Sequence, residues 1–352
     1  MAEMAIPERM RAWQYTSTAG GLEKNLRLCD DVAVPTPDES RPEVLVRVWS
    51  ASLNPADYKI PELGLPVRAV IRTPAAPGVD FCGRVVRATP SAAARFKPGD
   101  VVFGQADRTR PGSCAQYVVA PVANCALLPP SEGEGDKGVD VDEAATVSIA
   151  GLSAYQAVVP NVAPGDRVFI NGGAGGVGTF AVQIAKAVGC FVTVSCSAAK
   201  ADLCRRLGAD EVLDYTACDV AGAMRAKGPT YKLCVDNVGT SQALFKAADH
   251  FLVSDGLFCQ VGAPPSFGSA TTALSRMLLP SVLGGGKRRY QFFRIAKDAE
   301  ALAQIGRWMV QGKVKPVIEE RYEFEDVPKA FEKLKSGRCY GKLVIHVAKK
   351  DT

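Results

Sequence analysis

The chain has 352 residues, of which 47% are hydrophobic and 22% charged, so a disordered chain is excluded and two domains are expected. Its 42 cations and 37 anions leave a net charge of only +5, too thin a surplus for nucleic-acid binding without a motif beside it. The one dense basic cluster, Lys287-Arg288-Arg289, reads as a solvated loop or as a contact for a phosphate or anionic partner.

The opening stretch, Met1 to Trp13, lacks the apolar core of a signal peptide. No apolar run later in the chain approaches the roughly 20 residues of a membrane span. The end, Lys349-Lys350-Asp351-Thr352, matches no retrieval signal. The expectation is a cytoplasmic protein with no membrane partner. The 11 cysteines contain no Cys-x-x-Cys pair, and Cys190, Cys234 and Cys259 lie in strand-like apolar runs. They read as buried free thiols in a reducing compartment.

The first third is β-rich. Val44 to Trp49, Gly83 to Arg87, Asp100 to Gly104 and Ala115 to Val119 are strand-like, with Pro77-Gly78 and Pro98-Gly99 as punctuation, which suggests a barrel or sandwich. Ser131 to Asp142 is acidic and glycine-rich and reads as a loop between domains. Glu143 to Val159 then has helical character. From Arg167 onward strands and helices alternate, which implies a parallel sheet covered on both faces. Strands are expected at Arg167 to Ile170, Phe191 to Val194, Glu211 to Leu213, Leu233 to Asp236 and Leu257 to Val261. A helix is expected at Gly176 to Val188, with Val177, Phe180, Ala181, Ile184, Ala185 and Val188 on one face. Ser197 is placed to cap the next helix, which stops before Gly208. Gly341 to Ile345 is a last strand.

The sharpest motif is Asn171-Gly172-Gly173-Ala174-Gly175-Gly176-Val177-Gly178, which contains Gly-x-Gly-x-x-Gly between a strand and an amphipathic helix. A side chain in that turn would keep the backbone from a pyrophosphate, and the helix N-terminus offers it free N–H groups. Gly173, Ala174, Gly175, Gly176 and Val177 are therefore candidate cofactor contacts. A site for NAD usually places an acid about 20 residues past the first glycine. This chain has Ser195-Cys196-Ser197-Ala198-Ala199-Lys200 there, with no carboxylate before Asp202. Hydroxyls at Ser195 and Ser197, with Lys200 and Arg205 as cations, suit the 2′-phosphate of NADPH.

This order of parts resembles the medium-chain dehydrogenase/reductase superfamily. Ser52-Leu53-Asn54-Pro55-Ala56-Asp57-Tyr58-Lys59, Pro77-Gly78-Val79-Asp80-Phe81-Cys82-Gly83, Lys97-Pro98-Gly99-Asp100, Asp236-Asn237-Val238-Gly239 and Gly341-Lys342 resemble stretches of its zinc-independent quinone oxidoreductase and enoyl reductase branch. The resemblance covers nearly the whole chain. It implies an α/β fold: a GroES-like β-barrel domain from 1–138 and 294–352, and a Rossmann doubly wound parallel sheet domain at 139–293, with an active-site cleft between them. It also implies that a homodimer forms through Rossmann edge strands, the stretch after Val261 being the candidate edge.

Zinc members of the superfamily carry a catalytic Cys and His and a four-cysteine lobe. Asn54 stands where the branch lost the cysteine, Val79 follows Gly78 where they have His, and only Cys114 lies between Gly104 and Ala120. The two histidines, His250 and His346, are far apart, so no metal is expected.

By the resemblance, NADPH would deliver hydride to a small unsaturated carbonyl compound or a quinone. Asn54 would orient cofactor or substrate, Tyr58 would donate a hydrogen bond or proton, and Lys59 would favour developing negative charge. Tyr215 would sit at the 2′-phosphate. Asn237, Val238, Val261 and Gly262 follow strand ends where dinucleotide contacts gather. Phe292 and Phe293 would line the nicotinamide end, and Lys342 is a further candidate cofactor contact. Three readings remain open here: an enone or enoyl reductase, a quinone reductase, and an NADPH-binding protein with a non-enzymatic role.

Overall fold

The computed structural model describes residues 6–64, 67, 70–107, 110, 112–130, 138–262, 276 and 286–350. In chain order, β1 (Arg9–Gln14) and β2 (Arg27–Ala33) form an antiparallel pair. The eleven residues of β3 (Glu43–Leu53) are buried on both faces apart from Arg47, because the strand sits inside a seven-stranded sheet. Its partners include β4 (Asp80–Ala88) and β6 (Tyr117–Pro121), while β5 (Val101–Gln105) and β7 (Cys125–Leu127) extend the sheet from β4. Then follow β8 (Arg167–Asn171), β9 (Phe191–Cys196), β10 (Glu211–Asp214), β11 (Tyr231–Asp236), β12 (Leu252–Gln260) and β13 (Arg289–Phe292). Last come β14 (Ile318–Glu323) and β15 (Lys342–His346), which return to the first sheet, β15 pairing antiparallel with β3.

By its contacts the chain divides into two units. One is Met1–Leu152 with Lys297–Gly312 and Pro316–Thr352; the other is Ser153–Ala296 with Lys313–Lys315. The first has its own apolar core, including Trp13, Leu22, Val46, Phe81, Phe96 and Phe331. The second is a parallel sheet in the order β10-β9-β8-β11-β12-β13. The strand order reverses direction at β8, and the crevice beyond the strand ends at such a switch is where ligands bind in doubly wound sheets.

The first change of unit falls after Leu152 rather than at 138/139. Residues 141–158 are not one helix: Val141–Ala145 and Leu152–Val158 are α-helical, and Val147–Gly151 is a π-turn between them. The widened turn lets the Ser148 hydroxyl lie 2.6 Å from Asp80 Oδ1 and 2.7 Å from the Gly104 carbonyl, which fastens the segment to β4 and β5. Of the loop expected at Ser131 to Asp142, residues 131–137 lie outside the described residues and the end is already helical from Val141; of the dimer edge expected after Val261, residues 263–275 lie outside them.

Asp142 fastens the same segment to the returning strands. Its carboxylate accepts from Ser50 Oγ at 2.5 Å and Arg321 Nε at 2.7 Å and lies 2.9 Å from His346 Nε2. Burial works against the charge of both Asp142 and His346. Hydrogen bonds outweigh it, lowering the Asp142 carboxyl and, with help from Glu323, raising the His346 imidazole. A raised imidazole contributes stability that is complete below its unfolded value of about 6.5 and is lost as pH climbs through the folded value. A lowered carboxyl contributes stability above its unfolded value of about 3.9, lost as pH falls through the folded one. The melting temperature should therefore decline from pH 6 to pH 8 in the native chain relative to His346→Gln; parallel curves for the two proteins would contradict this.

Candidate functional site

In the first unit the site is built from three chain stretches. Asn54 ends β3 and caps the short helix Pro55–Lys59, where Pro55 supplies a preset φ and the Asn54 N–H donates to Asp57 Oδ2 at 2.7 Å. The Asn54 amide Nδ2 donates to Asp80 Oδ2 at 2.8 Å, and Lys342 Nζ donates to Asn54 Oδ1 at 2.5 Å. Lys342 Nζ also lies 3.5 Å from Asp80 Oδ2. Asn54, Asp80 and Lys342 are all buried. An ammonium only donates, so Lys342 fixes which end of the amide faces it. Among the described residues that leaves Asn54 one unspent amide hydrogen and no unspent orientation. Burial pushes the Lys342 ammonium below its ordinary value, against the pull of Asp80 and Asp57.

Lys342 is placed by Gly341, whose φ of 53° and missing side chain let β15 begin against Val317; a Cβ there would stand 2.2 Å from the Val317 carbonyl oxygen. Lys342 was expected among the cofactor contacts, and the structure brings it to Asn54. Tyr58 lies beside a different lysine. Its ring lies under the Lys335 ammonium, 5.5 Å away, and burial and Glu62 raise its phenol. Lys59 is half-buried, and burial lowers its ammonium. The sequence reading gave no role to Asp80 or Ser148. The Pro77-Gly78-Val79-Asp80 stretch was a signal for the first, whereas nothing local marks the second.

In the second unit the glycine turn stands at the end of β8 and opens the helix Gly176–Val188, as the motif requires. That helix is buried on more than the expected face. Gln183 is also covered and holds the backbone of Lys315 through both amide ends, at 3.0 and 2.8 Å. A Cβ on Gly178 would stand 2.1 Å from the Gly172 carbonyl, so the helix approaches the turn as only glycine permits. A Cβ on Gly175 would meet nothing nearer than 3.7 Å. The space over the helix N-terminus is thus open where an anion would lie.

Around this cradle, Ser195 ends β9 and accepts from the Gly172 N–H at 3.1 Å through its hydroxyl. Ser197 stands at the start of a 3₁₀ turn, Ala198–Lys200, without capping through its side chain; the α-helix Ala201–Arg206 begins later than expected because that turn intervenes. Arg205 is paired with Asp202 at 2.8 Å. Tyr215, Val238 and Phe292, at the ends of β10, β11 and β13, are 59%, 45% and 42% exposed, so each presents its side chain to solvent or ligand rather than to the core. Val261 and Gly262 follow β12, and both N–H groups donate to the Asp236 carbonyl, at 2.9 and 3.0 Å.

Both amide atoms of Asn237 are buried and, among the described residues, lack a hydrogen-bond partner. A buried amide without partners is costly, and a polar ligand end would relieve it. With the open glycine cradle, this fits a dinucleotide whose pyrophosphate lies on Gly173, Ala174, Gly175, Gly176 and Val177.

Residues 40–130 match the family model of the alcohol dehydrogenase GroES-like domain, and residues 207–345 match that of zinc-binding dehydrogenase. Among the described residues no three His, Cys, Asp or Glu side chains are grouped so as to hold a metal ion. A trans-enoyl reductase of Aspergillus terreus is 40% identical, over 97% of both chains. A 2-methylene-furan-3-one reductase of Solanum lycopersicum is 30% identical, over 97% of this chain and 80% of its own. The structure of the quinone oxidoreductase of Coxiella burnetii superposes with a TM-score of 0.79 at 28% identity, covering 96% of this chain and 99% of its own.

Proposed function

As a member of the medium-chain dehydrogenase/reductase superfamily, in its enoyl reductase and quinone oxidoreductase branch, the chain is an oxidoreductase that pairs a GroES-like domain with a Rossmann domain for a nicotinamide cofactor, and we propose that it reduces the activated C=C bond of an enone or enoyl compound with NADPH and without zinc. The observation that carries the substrate class is the likeness, along the whole of both chains, to a trans-enoyl reductase. No helix among the described residues is long and apolar enough to cross a membrane, in keeping with a small-molecule substrate met in water.

When bound, the reduced nicotinamide supplies the hydride that adds to the electron-poor carbon. The protein's part is to receive the charge that grows on the carbonyl oxygen. The unspent Asn54 amide hydrogen, held in one orientation by Lys342 and Asp80, is the donor for that oxygen. Tyr58, a phenol and so protonated at neutral pH, and Lys59, both on the helix that Asn54 caps, supply hydrogen bonds or a proton to the enolate. Choice of NADPH rests on Ser197, Lys200 and Tyr215; the buried Ser195 hydroxyl, expected there too, is spent on Asn171 and Gly172. Asp214, which ends β10, is already engaged by the N–H and hydroxyl of Thr216, at 2.9 and 2.7 Å.

The structural likeness to a quinone oxidoreductase favours quinones as the second reading. Consumption of NADPH and NADH, followed by the absorbance of the reduced nicotinamide against enones, 2-enoyl thioesters and quinones, with and without chelator, decides among these. Chelator-resistant, NADPH-dependent reduction of enones or enoyl thioesters is expected. Turnover with NADH alone would overturn the cofactor choice, loss on chelation would overturn the zinc-free reading, and turnover of quinones alone would establish the second reading.

A further inference from the structure

The strand ends of the parallel sheet carry a row of polar side chains in one register. Ser195 on β9 is level with Asn171 on β8, Asn171 with Asp236 on β11, and Asp236 with Gln260 on β12. Level residues of neighbouring strands project to the same face, so the four side chains stand abreast. The Ser195 hydroxyl donates to Asn171 Oδ1 at 2.5 Å, and Asn171 Nδ2 donates to Asp236 Oδ1 at 2.8 Å. Ser195, Asp236 and Gln260 are buried.

Gln260 Oε1 accepts from the Tyr290 hydroxyl on β13 at 2.8 Å and from Arg276 Nη1 at 2.6 Å, and the row's other bonds go to loops. Ser195 Oγ accepts from the N–H of Gly172, and Asp236 Oδ1 accepts from the N–H groups of Val238 and Gly239, at 3.1 and 3.0 Å. Gln260 Nε2 reaches the carbonyl of Gly262 at 3.1 Å and that of Gly239 at 3.4 Å. The loops after β8, β11 and β12 are thus tied to one another through buried side chains of the sheet. Stability alone is a poor reason for this. Among the described residues Asp236 Oδ2 is buried without a partner, and apolar residues would fill the same rim without desolvating a carboxylate. The orphaned amide of Asn237 lies inside the tied segment, between Asp236 and Val238, and points to a ligand that completes it.

We propose that the row is a positioning device for the dinucleotide: Asn171, with Ser195 and Asp236, sets the phosphate turn and the Val238-Gly239 loop relative to each other before the ligand arrives. It acts through Gly172, Val238 and Gly239 and does not touch the ligand. The inference rests on the reading of the glycine turn as a dinucleotide cradle. Loops that must be ordered on binding weaken it, and supporting shells remove that cost.

The test is direct titration of reduced-nicotinamide fluorescence, with NADPH and NADH, on the full chain and on Asn171→Ala, Ser195→Ala and the double variant, each with its melting temperature. The expected result is a Kd about tenfold higher for each single variant at nearly native melting temperature. The double variant should fall short of the product of the two, because both break the same row. A melting temperature that drops while Kd stays native would show a merely structural row and overturn the proposal. If Asn171→Ala does not fold, Ser195→Ala, which removes one oxygen, carries the same two outcomes. A native chain that binds neither dinucleotide would instead overturn the cradle reading, and the proposal with it.

Discussion

Exchange of Lys342 for methionine is expected to lower the free energy of unfolding by about 3–5 kcal/mol, the usual consequence of removing one partner from a buried ion pair. Methionine keeps most of the volume but none of the donors. Asp80 would keep Ser52, Asn54 and Ser148 as partners, at 3.3, 2.8 and 2.6 Å, yet lose the Lys342 ammonium, and Asn54 Oδ1 would lose its donor. Asp80→Asn alone should also destabilise, since of the two carboxylates that favour the buried Lys342 ammonium it removes the one with the larger effect and leaves Asp57. The double variant should be closer to the native chain than the sum of the singles, because no unpaired charge remains. Urea unfolding of the four proteins checks this, read from midpoints at an unchanged slope. Additive losses would mean that the two side chains do not act as a pair. In the double variant, turnover should stay low even where stability returns, because the Asn54 amide is then free to turn over and present its oxygen.

The second large effect separates binding from folding at two neighbouring glycines. Gly178→Ala should raise the Kd for NADPH by about a hundredfold or more and lower the melting temperature as well. Its methyl would collide with the Gly172 carbonyl, and backbone cannot swing aside as a side chain can. Gly175→Ala meets no such obstacle. Its φ of −77° and ψ of 175° suit alanine, so the fold should hold, with a small loss from the poorer helix start. The methyl would still occupy the space above the helix N-terminus, and Kd should rise about tenfold. Native affinity in Gly175→Ala would mean that the pyrophosphate does not rest on this turn.

The dinucleotide half was legible because its signals are local. The helix spans Gly176–Val188 as its periodicity suggested, and the strands on either side fall where β-branched runs placed them. The other half depends on long-range pairing. Lys342 and Asn54 are 288 positions apart, and only the pairing of β15 with β3 brings them together. Local pattern marked each as notable but could not say that one would bind the other. The π-turn at Val147–Gly151 escaped for the same reason, since the group that stabilises it, Asp80, is 68 positions from Ser148. Ser197 shows the opposite failure: a residue type suited to capping stands at a helix start, and an intervening 3₁₀ turn leaves it without that task.

The placement of β15 between β3 and β14 also orders events during synthesis. Everything from Ser153 to Ala296 leaves the ribosome before Lys342 does, so the Rossmann sheet can close while β3 still lacks a neighbour. Until then the Ser50–Leu53 end of β3, which β15 covers in the finished fold, has one edge without a partner. A chain broken off before Lys342 would keep every strand of the parallel sheet and lack the donor that fixes the Asn54 amide.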